Sequence, residues 1–292
     1  MKRFRVPESG VSKRLDVFLV ANLPELSRAS VGKLIDQGKV AINGTVATKA
    51  GQKVREGDKI SIDYDVSGLS QVPEIDLPIL YEDDDCVVID KPIGLLTHSK
   101  GAFNPEATVA TWLTSRVEEM DGERAGIVHR LDRATSGVMI CAKNSEALAW
   151  LQKQFSQRKV KKSYLAIIQG QLEPAEAVID MPIERNPKAP ATFRVGANGK
   201  SAITHYKILK SAGDYSLVEL KPETGRTHQL RVHLAYQGHP IVGDSFYDGE
   251  TAERLFLHAE QLEITLPNRK RKVFTAKLPI DFNHKLTGKY GV

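Results

Sequence analysis

Cysteine is scarce in these 292 residues: there are two, Cys86 and Cys141, each inside an apolar run (DDCVVID and VMICAK). That excludes a disulfide framework, and both read as small buried hydrophobes rather than metal ligands or thiol nucleophiles. Long apolar stretches are missing as well. No window approaches a membrane span, and the start, MKRFRVPESG, lacks the apolar run of a signal peptide, so a cytoplasmic protein with no membrane partner is expected. The eight histidines fall in no H-E-x-x-H, there is no C-x-x-C, and His228 and His233 do not share a helical face, so no metal is expected. A Walker-type phosphate loop and a dinucleotide fingerprint are also absent, which argues against nucleotide hydrolysis and hydride transfer.

What is present is a modest excess of positive charge. Lys and Arg number 41 against 36 Asp and Glu, a net charge of +5, with a pI near 9.0, which favours an anionic partner without identifying it. The length points to a main domain plus a smaller module. The module is expected over residues 11–66, a linker over 67–78, where Gly, Ser and two prolines break all periodicity, and the main domain over 79–292. In the module, Leu15, Phe18, Leu19 and Leu23 recur at helical spacing. A second helix follows Ser27, with Val31, Leu34 and Ile35 inward and Gly38 ending it, then strands at KVAING and DKISIDY with an Asn43-Gly44 turn. The main domain shows strands at CVVIDKP, GVMICAKN, KKSYLAIIQG, SAITHYKILK, YSLVELKP and after Phe256, and helices at ATVATWLTSRVEEM, SEALAWLQKQFSQR and THQLRVHLAYQ. Runs of strands broken by few helices predict an α+β domain with a largely antiparallel sheet.

One segment concentrates chemistry: GIVHRLDRATSG, residues 126–137. It sets Asp132 between Arg130 and Arg133, beside His129, Thr135, Ser136 and Gly137. An acid among fixed positive charges is suited to act as nucleophile or base. The arginines are suited to phosphate or sugar contacts, because a guanidinium is permanently charged and carries a planar fork of donors. For an isolated Asp-Arg pair the ordinary reading is a capped turn with solvated arginines.

Further segments weigh against that reading. The run His129-Arg130-Leu131-Asp132 with Thr135-Ser136-Gly137 resembles the H-R-L-D-x-x-T-S-G signature of the RluA-type pseudouridine synthases. The segment Lys91-Pro92, Gly94, His98 resembles the family's K-P-x-G-x-x-x-H motif, a turn closing on the cleft. KKSYLAIIQG carries a K-x-Y motif at Lys162 and Tyr164, and residues 225–233 read G-R-T-H-Q-L-R-x-H. In that last segment Leu230 and Leu234 are one turn apart and can face the core, so Arg226, His228, Arg231 and His233 are expected to point elsewhere. The first module resembles an S4-type RNA-binding domain along S-R-x-x-x-x-x-x-I-x-x-G-x-V-x-x-N-G.

The resemblance implies an isomerase that converts uridine to pseudouridine in structured RNA without a cofactor. It implies catalytic roles for Asp132, for Tyr164 against the uracil, and for Arg226 paired with Asp132. Arg130 would stand in for the extracted base or contact phosphate, His129 would lie on the RNA side, and Arg28, Lys33 and Lys39, with Lys49, would contact phosphates. Large-subunit ribosomal RNA is the expected substrate, with transfer RNA the alternative, and a monomer is expected. Ala134, Asp248 after Tyr247, and Leu266 before Pro267 depart from the family pattern without removing a catalytic group. Two other readings compete. An RNA-binding protein without catalysis would not need Asp132, Tyr164 and Arg226 together, and a phosphodiesterase would need a metal or a two-histidine constellation.

Overall fold

The computed structural model describes residues 1–7, 13–23, 26, 28–64, 73–98, 106–117, 120 and 126–288. Ser27 and much of the expected linker lie outside them. The chain divides into two compact units, residues 1–75 with 98–111, and residues 76–97 with 112–292.

The first unit contains β1 (Lys2–Arg5), β2 (Lys13–Arg14), α1 (Leu15–Asn22), α2 (Arg28–Asp36), β3 (Val40–Ile42), β4 (Thr45–Val46), β5 (Lys53–Val54) and β6 (Lys59–Ile62). Its sheet runs β1-β6-β3-β4, and β2 pairs with β5. Asn43 and Gly44 both have positive φ, at 51° and 83°, the backbone a tight two-residue hairpin demands between β3 and β4. Leu15, Phe18, Leu19, Leu23, Val31, Leu34 and Ile35 are buried as their spacing required. β1 lies ahead of residue 11. It carries no apolar alternation of its own and owes its place to the antiparallel ladder with β6.

After β7 (Ile79–Glu82) and β8 (Cys86–Lys91) comes α3 (Val109–Leu113), which straddles the division between the units. The second unit continues with β9 (Ser136–Ala142), α4 (Ser145–Ser156), β10 (Lys161–Gln169), β11 (Glu176–Asp180), β12 (Ile183–Arg185), β13 (Phe193–Val195), β14 (Ile203–Ala212), β15 (Tyr215–Pro222), α5 (Gln229–Tyr236), β16 (Leu257–Thr265), β17 (Arg271–Thr275) and α6 (Ile280–Thr287). The main sheet runs β11-β14-β15-β10-β16-β9-β8-β7, with β17 also on β16. Every pairing is antiparallel except β16 with β9. The fold is α+β with a largely antiparallel sheet. One edge of β16 is shared: its first residues pair with β9 and its last with β17, so the sheet opens between them. Gly137 lies at the β9 contact, where a Cβ would collide with the carbonyl of Ala259.

One core packs Ile167, Val218, Leu220, Leu230, Leu234, Phe256 and Phe282 around α5 and α6. A second packs Val88, Val138, Ile140, Leu151, Leu262 and Phe274 beneath α4. That helix starts where expected because Asn144 Oδ1 accepts the Ala147 N–H at 2.8 Å. α3 is much shorter than the ATVATWLTSRVEEM pattern suggested. Thr108 caps it by accepting the Thr111 N–H at 3.0 Å, and the Arg116 N–H closes it on Leu113 at 2.7 Å. Its β-branched residues add little helix propensity to extend it.

Candidate active site

Asp132 sits on the turn that leads into β9, and its backbone is gripped from several sides. Its carbonyl accepts the Thr135 N–H at 3.0 Å. Buried Thr97 donates its hydroxyl to the Leu131 carbonyl at 2.9 Å, and the Gly94 N–H donates to the Arg133 carbonyl at 2.8 Å. Gly94, at φ 79°, belongs to the turn after β8, and the fully buried Lys91 ammonium holds that turn by donating to Pro92 O and Leu95 O at 2.8 and 3.0 Å. Burial brings the Lys91 pKa down to about 8, against the pull of the Asp132 charge. The K-P-x-G segment thus braces the loop that carries the acid. Gly137 then lets that loop enter the sheet.

The Asp132 side chain, 24% exposed, opens into a cleft of about 150 Å³. Its walls include Arg130, Lys162, Tyr164, Thr224, Arg226, His228, Arg231 and Leu257, and among the described lining residues Asp132 is the one acid. Tyr164 stands on β10 at a bulge, where the register with β16 shifts between Ser163 and Tyr164. Its hydroxyl pKa is raised by burial and by the Asp132 charge, so at neutral pH it is a phenol. Lys162, two residues earlier on the same face, is lowered to about 8 by burial and donates to Thr224 O at 3.3 Å.

The far wall is the entry to α5. His228 adopts a left-handed conformation, φ 56° and ψ 19°, just before the helix. Gln229 then makes four hydrogen bonds with its side chain: Oε1 accepts from Thr224 Oγ1 (2.7 Å) and Arg226 N (3.0 Å), and Nε2 donates to Ile203 O (2.9 Å) and Thr204 Oγ1 (3.0 Å). A buried amide with all these bonds made is a strong clamp on the loop.

This geometry corrects the pairing expected for Arg226. Arg226 stays in the loop, where its Nε donates to Ser201 O at 2.9 Å. The guanidinium beside Asp132 is Arg231, with Nη1 3.7 Å from Oδ2, while its Nε and Nη2 grip both oxygens of buried Asp244 at 2.7 and 2.6 Å. The turn at His228 explains the exchange: helix begins at Gln229, so Arg231 in its first turn projects to the carboxylate. Residues 229–234 are all buried, because Arg231 is paired and His233 meets Thr204 Oγ1 and Met181 O, each at 3.0 Å. Leu230 and Leu234 face the core as expected, but Arg231 and His233 are buried too, and the helix reaches solvent only at its end, where Tyr236 is exposed. His228 Nε2 is also 3.7 Å from Asp132 Oδ2, and its Nδ1 lies 2.7 Å from the Tyr247 hydroxyl. Neither His228, Tyr247, Asp244 nor Gln229 stood out as a site residue; Tyr247 lies 19 residues from His228, Asp244 lies 13 from Arg231, and Gln229 reaches back 25 residues to Thr204.

His129 is also corrected. Its Nε2 accepts the Ile140 N–H at 3.1 Å and its ring stacks on Phe155 at 4.6 Å, which ties the loop to β9 rather than offering that nitrogen to RNA. Burial lowers its pKa to about 3, so it is neutral. Arg130 is exposed at the cleft rim. In the first unit Lys33 and Lys39 are exposed, and Arg28 is held by Asp16, whose Oδ2 accepts its Nε and Nη2 at 3.0 and 2.7 Å. Arg14 binds the same carboxylate, with Nε on Oδ1 at 2.9 Å. Among the described residues no group of three or more His, Cys, Asp or Glu could hold a metal, and no helix is long and apolar enough to cross a membrane.

Residues 85–236 match the RNA pseudouridylate synthase family, and residues 13–60 match the S4 domain. An uncharacterised RNA pseudouridine synthase of Aquifex aeolicus is 39% identical over 246 residues, spanning 82% of this chain and 78% of that protein. A Nitrosomonas europaea protein named ribosomal large subunit pseudouridine synthase D is 40% identical over 281 residues, 90% of this chain and 80% of its own. Among solved structures, human RNA pseudouridylate synthase domain containing 4 is 31% identical with a TM-score of 0.58, covering 72% of this chain and 91% of that one. With the cleft carboxylate on the H-R-L-D turn, these matches place the chain in the RNA pseudouridylate synthase family, with an S4 domain in its amino-terminal unit.

Proposed function

We propose that this RNA pseudouridine synthase isomerises uridines in large-subunit ribosomal RNA, working as a cytoplasmic monomer without metal or cofactor. The names of the relatives favour that substrate, and the excess of basic residues suits it. The reaction breaks the bond from uracil N1 to ribose C1′, turns the base, and rejoins it through C5. It involves no net redox change, so side chains suffice. Asp132 starts it, either by attacking C1′ or by removing the C2′ proton to leave a glycal. Tyr164 supplies a wall for the freed base, and its neutral hydroxyl is placed to take part in moving the C5 proton. Arg231 takes the orienting part expected of Arg226. Residues 11–66 select RNA, residues 67–78 connect, and residues 79–292 carry the chemistry.

The observation that carries this reading is a single open carboxylate, on a rigidly braced loop, in a cleft shared with Tyr164 and Arg231. Incubation with C5-tritiated RNA tests it, because only isomerisation releases that label without cutting the strand. Release from large-subunit ribosomal RNA and not from transfer RNA is the expected result. Release from transfer RNA alone would overturn the substrate, and no release from either would overturn the function.

A further inference from the structure

Tyr247 accepts the Phe193 backbone N–H at 3.0 Å and lies 2.7 Å from His228 Nδ1. A hydroxyl has one proton. With the Phe193 amide already donating to it, and no other acceptor for its proton among the described residues, the Tyr247 O–H points to Nδ1. That nitrogen is then an acceptor, and the ring proton resides on Nε2. Nε2 is the atom that faces Asp132 Oδ2, 3.7 Å away. We propose that Tyr247 locks His228 as a neutral Nε2–H donor whose purpose is to position Asp132, making His228 a positioning residue for the isomerisation; the inference rests on the function proposed above.

The surroundings of the ring fit a neutral donor. Asp132 and Arg130 face it from the catalytic loop, Arg231 from α5, Asp244 and Tyr247 from the turn after α5, and the Phe193 ring from β13 at 5.7 Å. Burial is the largest influence and lowers the His228 pKa, with Arg231 and Arg130 adding to it and the two acids opposing it. The chemistry also favours it. Oδ2 already faces the Arg231 cation at 3.7 Å, whose charge is shared with Asp244. A second full cation would make the carboxylate a poorer base or nucleophile, whereas a neutral N–H fixes its direction at less cost in reactivity. The left-handed backbone at His228 keeps the ring there, and histidine, like asparagine, is among the non-glycine residues that adopt it most readily.

Full-length protein labelled with ¹⁵N-histidine tests the tautomer, with His228→Asn assigning the signal. At pH 7 the His228 shifts should show a protonated Nε2 and a bare Nδ1 in the wild type. In Tyr247→Phe the signal should move toward a tautomer mixture. His228→Asn keeps the left-handed backbone and an acceptor for Tyr247 but has no atom at Nε2. Both variants should lose kcat by about tenfold or more with KM nearly unchanged, about 1.4 kcal/mol in barrier height per decade of rate. The acid limb of the Tyr247→Phe pH profile should also move to higher pH, because the freed Nδ1 takes a proton more easily. A wild-type His228 carrying its proton on Nδ1, or both variants with wild-type kcat and pH profile, would overturn the inference. Asp132→Asn is run beside them: if it too retains activity, the proposed function fails, and if it alone is dead, only the role of His228 and Tyr247 fails.

Discussion

The tripeptide Arg-Leu-Asp occurs in both units, as Arg14-Leu15-Asp16 and as Arg130-Leu131-Asp132, and the two acids have opposite fates. Both leucines are buried and anchor their segments. Asp16 opens a helix, and its oxygens accept five hydrogen bonds, from Arg14 Nε and Nη2, Arg28 Nε and Nη2, and the Val17 N–H, at 2.7 to 3.1 Å. Asp132 ends a loop, and its nearest cationic or imidazole nitrogens stand at 3.7 Å. A carboxylate whose lone pairs are all engaged organises structure; one held by its backbone, with side-chain partners kept at a distance, is free to react. Backbone bracing is what permits the second state.

The largest expected effect comes from replacing each acid by its amide. Asp132→Asn should lower tritium release by roughly three orders of magnitude or more with RNA affinity and melting temperature near wild type, because the amide keeps the shape and cannot act as nucleophile or base. Asp16→Asn should do the reverse, lowering the stability of the first unit while RNA already bound is still turned over. If Asp132→Asn turned over within tenfold of wild type, the contrast between the acids would collapse.

The second effect separates the two arginines of the α5 entry. Arg231→Lys keeps the charge but cannot grip Asp244 with two parallel bonds, so it should lower kcat by about a hundredfold and destabilise the fold by roughly 1–3 kcal/mol. Arg226→Lys loses one bond to Ser201 O and should change kcat by less than about threefold. Equal losses in kcat would return Arg226 to the role the motif suggested.

That exchange marks where sequence reading ran out. The turn at Asp132, the strand of Tyr164 and the hairpin of the first unit were legible because their signals are local: a contiguous H-R-L-D turn, a K-x-Y on an apolar strand, a turn at Asn43-Gly44. The partner of Asp132 was not, because Arg226 and Arg231 are both plausible until the left-handed backbone at His228 sets which of them belongs to the helix. Burial around α5 was hidden for a related reason. A helix containing Arg231 and His233 reads as half solvated, and only the distant Asp244, Thr204 and Met181 reveal that both are satisfied inside. The short strands β12, β13 and β17 pair with near neighbours, β12 with β13 and β17 with β16, but each is too short for a periodicity to announce it.

Acid should separate the units next. Apart from His98 the first unit contains no histidine, and the Asp16 carboxyl, drawn down to about 2 chiefly by its Arg14 hydrogen bond and also by Arg28, keeps its stabilising pair at mildly acidic pH and loses it only as pH falls through about 2. In the second unit burial lowers His129 to about 3 and His258 to about 4. Unfolded, these rings take up protons near their ordinary pKa of about 6.5, while the folded protein resists, so its stability is full above that value and falls as pH drops toward about 4. Urea unfolding followed by tryptophan fluorescence, with both Trp112 and Trp150 in the second unit, should show a midpoint that declines between pH 7 and 4.5. A flat midpoint would mean that both rings accept protons as easily folded as unfolded.

The smallest expected effect concerns what Asp16 does with its arginines. The Arg28 side chain is 59% exposed while two of its nitrogens are fixed on Asp16, so the remaining edge of the guanidinium is presented to solvent in a set direction. Such a fork can meet a phosphate with little loss of side-chain entropy, which a lysine on a free stem cannot do as well. Arg28→Ala should therefore weaken RNA binding a few-fold and reduce the slope of log affinity against log salt by about one, with kcat unchanged. Lys33→Ala and Lys39→Ala, which release exposed and less constrained ammonium groups, should each do less than Arg28→Ala at the same salt. A salt slope identical to wild type in Arg28→Ala would leave the Asp16 cluster as a purely structural device, and the contrast between the two Arg-Leu-Asp segments would then be one of stability against catalysis, with no RNA contact from this arginine.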